Sequence, residues 1–86
     1  MDKINQQRKM IDQVDREIID LLAQRFDAVK QIGEVKKELG VPSLDESRWQ
    51  MVLDSKMQLA KRYGLSEDMI KEIYEIIHKY ALEVEK

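Results

Sequence analysis

Residues 2–39 read DKINQQRKMIDQVDREIIDLLAQRFDAVKQIGEVKKEL, with no Pro and with Gly33 as the single Gly. Sampled in alternating steps of four and three, the stretch gives Ile4, Arg8, Ile11, Asp15, Ile18, Leu22, Arg25, Val29, Ile32, Lys36 and Leu39. That spacing is the seam of a long, coiled-coil-like amphipathic helix, running from about Asp2 to about Leu39. Four charged residues interrupt an otherwise apolar stripe. At 1.5 Å per residue the helix is roughly 55 Å long, whereas a compact domain of this length is only about 30 Å across. The helix therefore overhangs whatever its own chain can build. The expected architecture is an all-α domain over residues 1–86, one very long N-terminal helix and two shorter ones, paired as an intertwined antiparallel homodimer.

Outward from that helix, Gly40 is placed to cap its C-terminus and Pro42 blocks continuation. A second helix is expected to start near Asp45, with Ser43 and Glu46 spaced as a capping box, and to end around Tyr63-Gly64. The third opens at Ser66, with Leu65 placed to staple against Ile70, and runs to the C-terminus. Gly33, in mid-helix, is read as a point of close helix–helix contact. Met51, Met57 and Met69 are read as core filler.

Composition narrows the function. Of the 86 residues, 43% are apolar and 37% charged, with a net charge of −2 and no Cys. The basic residues are interspersed with acids, which leaves no nucleic-acid-binding face. There is no apolar run of membrane-spanning length and no signal-peptide core near Met1, so a cytoplasmic protein without membrane contact is expected. With no thiol, neither a disulfide framework nor a thiolate metal site is possible.

The charges of the seam carry the chemistry. Arg25 and Lys36 are 11 residues apart, about 16 Å along one face, and their side chains can close on a small anion between them. Arg8 lies about 25 Å from Arg25 and cannot join them within one chain. In an antiparallel dimer crossing near Ile18–Ile19, Arg8 of the partner subunit falls opposite residue 30, between the two. Inter-subunit ion pairs, with Asp15 serving Arg25, are the alternative. Three cations against one acid leave charges unpaired, and an anionic ligand accounts for them better.

These residues resemble the α-helical class of chorismate mutases, over the whole chain. The resemblance rests on Arg8-x-x-Ile11-Asp12-x-x-Asp15, on Leu21-Leu22-Ala23-Gln24-Arg25 and on Ile32-Gly33-Glu34-Val35-Lys36. It continues in Gly40-Val41-Pro42 followed by Asp45-x-x-Arg48, and in Ile73-Tyr74-Glu75-Ile76-Ile77 followed by Ala81. What it implies is a Claisen rearrangement of chorismate to prephenate in phenylalanine and tyrosine synthesis, without metal or cofactor. It implies that Arg8 of the partner subunit and Arg25 clamp the two carboxylates, and that Lys36 faces the ether oxygen. Asp45 and Arg48 would frame the ring and its hydroxyl side, and Glu85 falls where the family places a Gln or Glu donor to the ether oxygen. A carboxyl group there must carry a proton to donate. Association with the first synthase of the shikimate pathway is also implied.

One departure stands out. Many relatives carry Glu after the second-helix Arg, to accept from the substrate hydroxyl, and here the residue is Trp49. Gln50 projects about 100° further round the helix. That substitution keeps open an isochorismate pyruvate-lyase of the same fold. A non-catalytic dimerisation or regulatory module is the more distant reading. Trp49 is equally readable as a hydrophobic lid, and His78 as a surface or interface residue of the third helix.

Overall fold

The computed structural model describes residues 1–86 as three helices and no strands: α1 (Asp2–Leu39), α2 (Glu46–Arg62) and α3 (Glu67–Glu85). The molecule measures 57 × 24 × 16 Å. Its long dimension is that of α1, as 38 residues at 1.5 Å each require. α3 packs against both α1 and α2, while α1 and α2 make no close backbone approach to each other. No helix is long and apolar enough to cross a membrane.

The helix ends follow from local chemistry. Gly40 takes the left-handed conformation, φ 68° and ψ 28°. Its N–H donates to the Lys37 carbonyl while that of Val41 reaches back to Lys36 at 2.9 Å, the double bond of a Schellman stop. Gly64 closes α2 in the same way, its N–H meeting Lys61 and that of Leu65 meeting Ala60. Ser66 caps α3 as expected, its Oγ accepting from the Met69 N–H at 3.1 Å.

The start of α2 departs from expectation. Its N-cap is Asp45, whose Oδ1 accepts from the Arg48 N–H at 3.0 Å, and no Ser43–Glu46 capping box forms. Asp45 stands immediately before Glu46 and takes the cap, which leaves Ser43 two residues outside the helix, its carbonyl accepting from Lys36 Nζ at 2.7 Å.

The core is thin. Leu53, Ala60 and Ala81 are the only buried apolar side chains, joined by Gly33 and Glu85. Met51 and Met69, expected as core filler, are 65% and 42% exposed, because α2 and α3 have no further layer to press against. Ile4, Ile11, Ile18, Ile32 and Leu39 of the seam are all at least half exposed, or nearly so. A folded monomer of 10.2 kDa exposes about 5,300 Å². This chain exposes 7263 Å². The exposed seam contributes to the surplus.

At Gly40 a Cβ would meet nothing within 4 Å, so only the positive φ opposes a side chain. Gly40→Ala is therefore expected to cost about 1 kcal/mol of stability, read as a lowered denaturation midpoint with helicity retained.

Candidate functional site

The site forms where the C-terminal halves of α1 and α3 converge beside the start of α2. Gly33 sets the spacing. A Cβ built on it would stand 2.8 Å from the Cα of Glu85 and 3.2 Å from its carbonyl oxygen. Only hydrogen at this position lets the last turn of α3 lie against α1, which is the close contact that the mid-helix Gly foretold. One turn further along α1, Lys36 then faces Glu85 across the junction.

Lys36 Nζ lies 2.8 Å from Glu85 Oε1, with the two side chains only 24% and 10% exposed. The contact is an ion pair by distance, but its angle falls outside hydrogen-bond geometry, since Oε1 remains without a hydrogen-bond partner. An ammonium carries three donors. One is committed to the Ser43 carbonyl and a second is drawn toward Glu85, which leaves the third for a ligand.

These groups border a cavity of about 300 Å³. Arg25, Lys36, Asp45, Arg48 and Glu85, all singled out from the sequence, line it together. Val29, Ile32, Val52, Ala81 and Leu82 supply apolar walls. Arg25 is half-buried, its guanidinium carbon 5.9 Å from the centre of the Tyr74 ring. Its Nη1 is buried with no hydrogen-bond partner in the chain. A buried guanidinium donor without an acceptor is costly, and it points to an anion.

Asp45 has a divided role. Its Oδ1 caps α2, and the Arg48 backbone N–H, with the Ser47 hydroxyl at 3.2 Å, holds its carboxyl below the usual carboxylate range. Arg8 is not brought to the cavity. It is exposed on the free half of α1 and makes no ion pair within the chain. Asp15 is equally unpaired, with the only ion pairs being Lys36–Glu85 and Lys61–Glu67.

Of two further lining residues, one was read differently from the sequence. Trp49 and His78 stack across the cavity wall, ring centres 3.9 Å apart and planes 9° from parallel. His78 is thus a pocket residue rather than a surface one. The available signal was its spacing: His78, Ala81, Leu82 and Glu85 share one face of α3. Burial holds its imidazole below the ordinary 6.5. Arg25 acts in the same direction, against Glu85 and Glu46.

Comparison with known proteins gives a consistent picture. Residues 7–86 match the chorismate mutase type II family. A chorismate mutase of Methanocaldococcus jannaschii is 32% identical over 85 residues, covering 96% of this chain and 86% of the relative. The T-protein of Haemophilus influenzae is 34% identical over 73 residues, covering 85% of this chain and 19% of that longer protein. A 4-amino-4-deoxychorismate mutase of Streptomyces venezuelae is 29% identical over 70 residues, covering 81% of this chain and 68% of the relative.

Gly33→Ala is expected to force α3 away from α1 and separate Lys36 from Glu85. Circular dichroism should show the helices kept, while affinity for a dicarboxylate ligand falls on the order of tenfold or more.

Proposed function

This chain belongs to the chorismate mutase type II family, and on that premise we propose how its residues carry out the rearrangement of chorismate to prephenate. The enzyme is an isomerase of aromatic amino acid biosynthesis. In the reaction the ether C–O bond breaks as a C–C bond forms, within one molecule. The protein has two tasks: to hold a flexible dicarboxylate in its compact reactive conformer, and to stabilise negative charge growing on the ether oxygen. The observation that carries the assignment of residues is the unpartnered Arg25 Nη1 beside the Lys36–Glu85 pair in one cavity.

Arg25 grips one carboxylate, the bidentate fork being suited to that shape. Lys36 turns its free donor toward the ether oxygen and a carboxylate. Arg48 and Asp45, on the first turn of α2, border the ring. Glu85 donates to the ether oxygen, and as a carboxylate it has no proton to donate. Its neutral form is therefore the active one.

A second chain can contribute as well. Arg8 lies exposed on the free half of α1 with no ion pair in its own chain. Arg8 of the partner subunit grips the second carboxylate. We accordingly propose an antiparallel homodimer of single-domain subunits, joined along the exposed seam of α1. A surplus near 2,000 Å² per chain is of the size that obligate dimers bury. Residence in the cytoplasm and docking with the first synthase of the shikimate pathway are proposed on the family resemblance, the latter testable by co-purification.

The decisive assay follows chorismate loss by ultraviolet absorbance, with isochorismate in parallel. Turnover of chorismate to prephenate is expected, and cleavage of isochorismate to pyruvate in its place would transfer the site to the lyase reaction. Arg8→Ala and Arg25→Ala should each abolish activity and leave the dimer intact, and mixing the two variants should regain part of it through heterodimers. Failure of that rescue after confirmed subunit exchange counts against the shared pocket. The thermal midpoint should also rise with protein concentration. Glu85→Gln, a permanent neutral donor, should retain activity, and Glu85→Ala should cost on the order of 10²-fold in kcat. A rate indifferent to Glu85→Ala would place that side chain outside the chemistry.

A further inference from the structure

The Trp49–His78 stack takes no part in the roles assigned above. Once cations answer the carboxylates, and Lys36 and Glu85 the ether oxygen, chorismate retains one polar group, the ring hydroxyl. It is neutral and is both a donor and an acceptor. Asp45 keeps Oδ2 free beside the engaged Oδ1, but as a carboxylate it can only accept from the hydroxyl and not donate to it. Position 49 offers an indole in place of an acid. Ser43 lies at the other end, its carbonyl turned to Lys36.

His78 fits. A neutral imidazole carries one donor and one acceptor in the plane of the ring. Its face lies flat on Trp49 at 3.9 Å, which fixes the ring plane. It borders the cavity, and its nitrogens take part in none of the chain's side-chain hydrogen bonds. Resting on the chorismate mutase reading, we infer that His78, held edge-on to the cavity by Trp49, recognises the substrate's ring hydroxyl and makes the enzyme selective for it.

The surroundings keep the imidazole neutral. Burial is the main cause, and Arg25 on α1 adds to it, with Glu46 on α2 and Glu85 on α3 opposing. The folded chain resists a proton that the unfolded chain accepts near 6.5. Stability therefore falls as pH drops from about 6.5 toward the lowered value, and the acceptor on His78 is lost over the lower part of that range.

The test compares chorismate with its analogue lacking the ring hydroxyl, by kcat/KM on the full chain. His78→Phe keeps an aromatic ring on Trp49 and removes both nitrogens. It should lose on the order of tenfold with chorismate and little with the deoxy analogue, and His78→Gln should recover part of the loss. Equal losses on both substrates, or none on either, overturn the inference. His78 is the only histidine, so NMR titration reads it in the wild type without any variant. Its midpoint should lie below 6.5, and a bicyclic ether dicarboxylate mimic bearing the hydroxyl should shift it further than the same mimic without it. Identical shifts also overturn the inference. A wild-type chain that leaves chorismate unchanged refutes the assigned reaction instead, so the two failures are distinguishable.

Discussion

A helix of 38 residues cannot be covered by the rest of an 86-residue chain. That arithmetic governs the whole architecture. α3 has 19 residues, about 28 Å, and can lie along only half of α1. The half it covers is the C-terminal one, and the cavity forms there. The other half keeps Ile4, Ile11 and Ile18 exposed along with Arg8. An apolar stripe of that length in water is strongly unfavourable. The proposed pairing meets this cost with a second copy of the same stripe and brings a further cation to the pocket.

Within the covered half, a steric condition and a chemical one coincide. The absence of a side chain at Gly33 is what admits the backbone of Glu85. The carboxyl group is then delivered to Lys36, three residues along the same helix. α2 contributes through its first two turns, and at its start Asp45 is cap and wall at once. Helix termination, helix crossing and site construction are thus achieved by the same few residues.

Most of the fold was legible because its determinants are local. The four-three stripe, Gly40 with Pro42, and Ser66 each act within a turn or two, and all three helices appear where they indicate. The misreadings have other causes. Ser43 has a capping-box spacing to Glu46, but Asp45, directly before the helix, takes the cap. Met51 and Met69 were assigned to a core that this chain alone does not enclose, while Met57 is half-buried. Trp49 and His78 are 29 residues apart in sequence, and nothing in either neighbourhood announces that their rings meet. The five same-chain candidates that line the cavity were identifiable because a charge on an apolar seam, or a match to a family pattern, marks a position whatever its partner.

Lys36 carries one more implication. Lysine side chains are ordinarily among the most mobile, and fixing one on a ligand forfeits rotamer entropy of about 2 kcal/mol. Here the Ser43 carbonyl and Glu85 have already confined the ammonium. That loss is incurred when the chain folds and is largely absent when a ligand arrives, a difference on the order of tenfold or more in affinity. Loosening of the 40–45 loop would return the freedom to the side chain. Ligand affinity and the order of a segment that contributes little apolar contact are in this way thermodynamically joined.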